Sequence, residues 1–246
     1  MTATLYGLGV GPGDPELLTL KAHRILTASP VVAYPAPDTG QSFARAIVSG
    51  FLAPEQIEVP IVVPMRVQRF PAAEVYDQAA STIAGHLDAN RDVAVLCEGD
   101  PFFYGSFMYL FERLSQSYPC EIIPGVSSIM ASAAALKRPL AARNDVLAVL
   151  PGPLSNEELE ARLKTADALA IMKIGRHFNR IRVLLERLGL AACAGYCERV
   201  TLGEERIMPL SEVSDETAPY FSMILIYKGA EDWIRALPAG RPTDAE

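Results

Sequence analysis

The sequence predicts an α/β protein of two domains, the first built on a mostly parallel sheet and the second on a mixed one. Short β-branched runs alternate with helical patterns through the first half, as strand–helix–strand crossovers require. After Lys137-Arg138-Pro139 the texture changes, and strands follow one another through short turns with only two helices among them. The 246 residues, half of them hydrophobic, exceed the usual size of one domain and hold apolar material for two cores.

In chain order, residues 3–8 read as a strand, 15–27 as a helix and 31–34 as a second strand. A short helix at 42–49 and a strand at 57–63 precede the proline-bounded segment 64–71. The long helix at 72–89 places Val75, Ala79, Ile83 and Leu87 on one face. A strand at 92–97, a helix at 103–117, a strand at 121–123 and a helix at 127–136 complete the first half. The second half reads as strand 145–150, helix 157–165, strand 167–172, helix 179–188 and strands at 192–198, 204–209 and 221–227. The domains are therefore placed at 1–139 and 140–246, with 238–246 as a frayed tail.

A net charge of -7 argues against a nucleic-acid partner, which needs a basic face to displace counterions. The four cysteines form no C-x-x-C pair and the three histidines lie far apart, so no metal site is expected. Residues 1–14 lack a signal-peptide pattern and no apolar run reaches the length of a membrane span. The expectation is a cytoplasmic protein with reduced thiols and no membrane partner.

Three glycine- and proline-punctuated stretches follow strands in the first half. In GLGVGPGDPELLTLKA, Gly7 to Ala22, the glycines allow close approach of backbone to a ligand. Asp14 is a candidate N-cap, with Pro15 at the first helical position. The spacing does not complete the dinucleotide fingerprint, and the strand at 31–34 leads into proline rather than a ribose-binding carboxylate. In LCEGDPFFYGSF, Gly99-Asp100-Pro101 forms a tight turn in which Asp100 can cap nearby amides; solvation of Glu98 and Asp100 is the plainer alternative. In PGVSSIMASAAAL, Pro124-Gly125 turns the chain and Ser127 or Ser128 can cap a helix of small residues. No G-x-S-x-G surrounds these serines, which disfavours a hydrolase nucleophile.

The second half groups Lys173, Arg176, His177 and Arg180 in IMKIGRHFNRI, after a strand and through Gly175. Such a run is either a solvated helix face or a set of guanidinium forks for carboxylates. Arg66, Arg69 and Arg143 are further candidates for an anionic substrate. In CERVTLGEERI, a strand and turn offer Arg199 and Thr201.

Taken in order, GLGVGPGDPELLT, EGDPFFYGSF, PGVSS, MKIGR and ERVTLGEE resemble the tetrapyrrole methylase superfamily over about residues 3–230. The combination is far more specific than any one part. Within that family the chain looks most like the branch whose acceptor is the C20 meso carbon of precorrin-2, a reduced tetrapyrrole of corrin synthesis. The resemblance implies two αβα domains with a cleft between them, a homodimer, and S-adenosylmethionine bound folded as methyl donor. It implies that the first domain carries the substrate cleft and part of the cofactor site, which the second completes. Pro12, Gly99, Asp100, Pro101, Phe103, Ser127, Ser128, Met172, Arg199 and Val200 would contact the donor, with Tyr104 bordering donor or acceptor. Arg66, Arg69, Arg143, Arg176 and Arg180 would face the acceptor's carboxylates. A proton must leave C20 after methylation, and Glu98, Asp100, Tyr104 and Lys173 are the candidate bases. A non-catalytic nucleotide-binding α/β protein is the reading from a different class; it predicts binding without turnover.

Overall fold

The computed structural model describes residues 3–63 and 72–235, so Arg66 and Arg69 lie outside the described residues. The chain divides into two compact units, Met1–Ser127 and Ser128–Glu246.

The first unit holds five strands, β1 (Leu5–Gly9), β2 (Val31–Ala36), β3 (Ile57–Val62), β4 (Val93–Cys97) and β5 (Cys120–Ile123). They lie in the order β3-β2-β4-β1-β5 and every described pairing is parallel. From β1 the chain steps outward to β2 and β3, then returns to β4 and β5. Right-handed crossovers therefore put the connecting helices on opposite faces. On one face α1 (Leu20–Ala28) and α2 (Phe43–Ile47) present Ala22, Ile25, Ala44 and Ile47 to Leu8, Val32, Leu96 and Ile123. On the other, α3 (Ala72–Asp88) and α4 (Phe107–Leu114) present Ile83, Leu87, Phe107 and Leu110 to Leu5, Val31, Val93 and Val95. The spacing by fours read in the sequence is borne out in part: Ala79, Ile83 and Leu87 are buried, and Val75 is partly so. A Cβ on Gly7 would stand 2.7 Å from Phe107 Cδ1, so this glycine serves packing rather than a ligand.

One ladder stops early. β2 pairs with β4 only over Val31–Ala33, although β2 continues to Ala36 along β3 and β4 continues to Cys97 along β1. The carboxyl edge of the sheet thus has no β2–β4 hydrogen bonds beyond Ala33 and Val95. The connections after β2 and β4 also leave toward opposite faces, the topological condition for a ligand crevice in a parallel sheet.

The second unit contains β6 (Leu147–Pro151), β7 (Ala168–Met172), β8 (Ala194–Glu198), β9 (Arg206–Pro209) and β10 (Ser222–Tyr227), in the order β6-β7-β10-β8-β9. β6 and β7 are parallel, β10 is antiparallel to both β7 and β8, and β8 is antiparallel to β9. This is the mixed sheet the sequence predicts. α5 (Ser128–Ala135) covers one face, where Ile129, Ala131 and Leu136 meet Ala170, Cys197, Met223 and Leu225. α6 (Asn156–Thr165) and α7 (Phe178–Arg187) cover the other, where Leu159, Leu163, Ile181 and Leu184 meet Leu169, Ile171, Tyr196 and Ile224. A terminal turn, α8 (Asp232–Arg235), follows.

The division falls ahead of α5, whereas the sequence placed the break after it, between residues 139 and 140. Packing explains the difference. Besides the apolar side chains of α5, Arg138 is buried and donates to the Cys193 carbonyl at 2.9 Å and the Leu225 carbonyl at 2.7 Å, which stitches the segment to the second sheet.

Two predicted helices start four or more residues later than expected. The helix read at 15–27 is a 3-10 turn at Pro15–Leu17 followed by α1, because Leu18 and Thr19 are extended and the Thr19 hydroxyl caps the new start by accepting from Ala22 N at 3.1 Å. The helix read from 103 begins at Phe107, because Tyr104 takes a positive φ of 57°.

Candidate functional site

The carboxyl edge of the first sheet is built by the loops after β1, β4 and β5. Gly11 and Gly99 form an isolated bridge, with Gly99 N donating to Gly11 O at 2.8 Å and Gly11 N to Gly99 O at 3.3 Å. Both have positive φ, 80° and 65°, which favours glycine. Gly9 and Gly125 bring the other backbones in. A Cβ on Gly9 would lie 2.5 Å from Gly125 N and 2.7 Å from Gly99 O, and one on Gly125 would overlap Gly99 O outright. Three strand ends therefore meet at a junction that admits no side chains at these positions. Pro12 and Pro101 are buried beside it, and the Cα of Ser127 lies 3.9 Å from where a Cβ on Gly99 would stand.

Asp100 locks this junction. Its Oδ1 accepts from Phe102 N at 2.9 Å and Phe103 N at 3.1 Å, while Oδ2 accepts from Gly125 N at 3.1 Å. The capping role read from the sequence holds, and one of the capped amides belongs to the β5 loop. Beyond it, Phe102, Phe103 and Tyr104 are exposed, with Tyr104 edge-on to Phe103 at 5.2 Å between centroids. Two residues before Asp100, Glu98 is half-buried at the end of β4. Desolvation raises its carboxyl above the usual carboxylate range, opposed by hydrogen bonds from its own backbone N–H and that of Ala44.

The short helix α2 that supplies Ala44 is held from several sides. The Ser42 hydroxyl donates to the Pro35 carbonyl at 2.5 Å and accepts from Arg45 N at 3.3 Å. Arg45 grips Glu58 through Nε at 2.5 Å and Nη2 at 2.7 Å, and the Tyr34 hydroxyl donates to the same carboxylate at 2.7 Å. The Arg45 guanidinium, with the Tyr34 hydroxyl, holds the Glu58 carboxyl down to about 2. Sequence reasoning missed this cluster, since nothing in the local pattern links residues 34, 45 and 58.

In the second unit, β7 and β8 run parallel to one another on either side of β10 and end at one edge. Each is followed by a non-glycine residue in the left-handed region, Lys173 at φ 56° and Arg199 at φ 48°, with Thr201 at φ 69° just beyond. Such conformations persist where surrounding bonds enforce them and concentrate at functional sites. Here Arg199 N donates to Phe221 O at 2.8 Å, and Gly152 N to Met172 O at 2.7 Å. Met172 is half-buried, Val200 buried, and Arg199 is ion-paired with Glu204. Ser128 opens α5.

The arginines divide. Arg180 donates to Gly152 O at 2.6 Å, Leu154 O at 3.0 Å and Asn156 Oδ1 at 2.6 Å, so it binds together the loop between β6 and α6. Arg176 is exposed and donates to His177 Nε2 at 3.3 Å; burial and the Arg176 and Arg180 cations push the His177 pKa down. Arg143 is exposed and pairs with Glu231 at 3.0 Å. Among the described residues no group of three His, Cys, Asp or Glu side chains stands together to hold a metal, and no helix is long and apolar enough to cross a membrane.

Comparison with known proteins bears on this geometry. The family described as Tetrapyrrole (Corrin/Porphyrin) Methylases matches residues 4–214. Cobalamin biosynthesis protein CobIJ of Mycobacterium tuberculosis H37Rv is 42% identical over 245 residues, covering 96% of this chain and 48% of that protein. The chain thus spans about half the length of that relative. Precorrin-2 C(20)-methyltransferase of a Sinorhizobium species is 40% identical over 230 residues, 90% of this chain and 94% of that one. Among solved structures, uroporphyrin-III C-methyl transferase from Thermus thermophilus complexed with S-adenyl homocysteine superposes with a TM-score of 0.65 at 27% identity, covering 91% of this chain and 97% of that one. A family match over residues 4–214 and a relative 40% identical along nine-tenths of this chain show that the chain belongs to the tetrapyrrole (corrin/porphyrin) methylase family.

Proposed function

We propose that this protein transfers a methyl group from S-adenosylmethionine to C20 of precorrin-2, giving precorrin-3A in cobalamin biosynthesis. The observation that carries the reading is the glycine junction at the carboxyl edge of the first sheet, where Gly9, Gly99 and Gly125 bring three backbones together and Asp100 fixes them. Such an edge suits the donor. It offers backbone amides and carbonyls with buried proline rather than a ribose-binding acid, the pattern the family motifs imply. Pro12, Gly99, Asp100, Pro101, Phe103 and Ser127 in the first unit, and Ser128, Met172, Arg199 and Val200 in the second, are the residues we assign to it. The names of the relatives support the acceptor, and the S-adenyl homocysteine in the Thermus structure supports the donor.

When bound, the donor supplies an electrophilic methyl group on a sulfonium. The chain's contribution is to hold that carbon in line with C20 of an electron-rich, enamine-like ring, an orientation worth roughly 7–11 kcal/mol in favourable cases. Arg143 and Arg176, with Arg66 and Arg69, are assigned to the acceptor's carboxylates, and the protein is taken to be a homodimer, as the family resemblance implies.

The test is to incubate the protein with methyl-labelled S-adenosylmethionine and either metal-free precorrin-2 or its cobalt complex. Mass analysis and NMR of the pigment should then locate one new methyl at C20. Donor binding without transfer to either acceptor, or a methyl at another carbon, overturns the reading.

A further inference from the structure

Two carboxylates stand two residues apart at the end of β4, and the fold treats them in opposite ways. Asp100 has both oxygens committed to backbone amides, from Phe102, Phe103 and Gly125. Those three bonds hold the β4 and β5 loops together, which suits a clamp. Glu98 sits where the β2–β4 ladder has already stopped, beyond the last paired residues Ala33 and Val95. Its alternation with Leu96 and the hydrogen bond from Ala44 N place its side chain on the α2 face of that opening.

Resting on the function proposed above, we propose that Glu98 takes the proton released from C20 after methylation and that Asp100 is a positioning residue. The balance is simple. A bond forms between C20 and the methyl carbon as the sulfur–methyl bond breaks and its electron pair stays on sulfur. C20 then bears both hydrogen and methyl, and the ring carries the positive charge. The C20–H pair returns to the ring as the proton passes to the Glu98 carboxylate, leaving a neutral methylated ring, a thioether and a carboxylic acid that reionises to water.

The surroundings favour this assignment. Arg45, the cation of α2, is held bidentately by Glu58, and Tyr34 of β2 donates to the same carboxylate. Tyr76 of α3 and Cys97 of β4 belong to the core on the opposite face of the sheet, and burial pushes both of their pKa values up, which keeps them neutral. Glu98 is thus a desolvated carboxylate whose α2-side cation is already engaged by Glu58, with a proton affinity above that of an ordinary glutamate.

The experiment compares wild type with Glu98→Gln and Asp100→Asn, after confirming that each melts as one folded protein. Four readouts are taken: donor affinity by calorimetry, kcat and KM for the acceptor, the pH profile of kcat, and the carboxyl 13C signals of glutamate-labelled protein. Glu98→Gln should lower kcat by roughly 10²–10⁴-fold with donor affinity within twofold, and should abolish the acidic limb of the profile. It should also remove a 13C signal that titrates above the other glutamates. Asp100→Asn should weaken donor binding while keeping the acidic limb. If Glu98→Gln retains more than half of wild-type kcat, or Asp100→Asn is the variant that loses the acidic limb, the assignment is wrong. Failure of wild type itself to methylate the acceptor overturns the proposed function, and this inference with it.

Discussion

The carboxylate of Asp100 accepts the backbone N–H of Gly125 across a separation of 25 residues, joining the loop after β4 to the loop after β5. The same side chain caps Phe102 and Phe103, so one residue sets the geometry of two strand ends. Replacing it with alanine leaves three amides without their acceptor. We expect Asp100→Ala to lower stability by about 1–3 kcal/mol in urea titration and to weaken donor binding in calorimetry more than tenfold. Unchanged donor affinity would mean that the loops keep their arrangement without the clamp.

Gly125 offers a steric version of the same test. A Cβ there would overlap Gly99 O and stand 2.8 Å from the Cα of Gly9. Gly125→Ala should therefore wedge the three loops apart while leaving the second unit folded, since its cores lie in separate side chains. The measurements are donor affinity, expected to fall by at least tenfold, and amide exchange, expected to rise at residues 9–13 and 99–105. Wild-type affinity in this variant would show that the junction is unrelated to the donor.

The two neighbouring arginines of α7 and its approach should separate cleanly. Arg180 holds three acceptors in the loop after β6, so Arg180→Ala should destabilise by about 1–3 kcal/mol in thermal or urea unfolding. Arg176 is exposed, and its side chain donates to its neighbour His177. Arg176→Ala should leave the unfolding midpoint in place and raise the acceptor KM with kcat nearly unchanged. A destabilised Arg176→Ala, or an Arg180→Ala that alters only KM, contradicts the division.

Acid should expose the contribution of Glu58. Its folded carboxyl lies at about 2, against an ordinary value of 4.5, because Arg45 and Tyr34 bond its ionised form. A depressed acid contributes stability that is complete above the ordinary value and is lost as pH falls toward the folded one. Both partners of the ion pair are partly exposed, and with solvent screening we expect a loss on the order of 1 kcal/mol between about pH 4.5 and 2. Urea titrations across that range should show a shallower decline in Glu58→Gln than in wild type; parallel curves would remove the pair from the account.

Local signals made much of the architecture legible. The fourfold spacing through Ile83 and Leu87 marked α3, Asp14 capped the turn it was expected to cap, and β-branched runs located the strands of both sheets. The glycine and proline clusters after β1, β4 and β5 were readable as turns, and their common purpose came only from the resemblance that all three carry together. What escaped depended on distant partners. Arg180 reads as a substrate arginine in sequence, and the loop contacts it also makes, to the carbonyls of Gly152 and Leu154, are ones that no pattern reveals. α5 is rich in alanine and serine, so its composition does not say which sheet it covers; only its burial against Ala170, Cys197 and Leu225 settles that. The helix start at Thr19 was hidden behind the stronger proline signal four residues earlier.

The last strand of the mixed sheet in sequence, β10, is central in space, inserted between β7 and β8. Until Ser222–Tyr227 are synthesised, β7 and β8 have no shared neighbour and the nascent half presents two raw hydrogen-bonding borders. The first sheet, by contrast, has all its strands once Ile123 has left the ribosome. A chain cut just before Ser222 would therefore keep every strand of the first sheet and lose the central strand of the second.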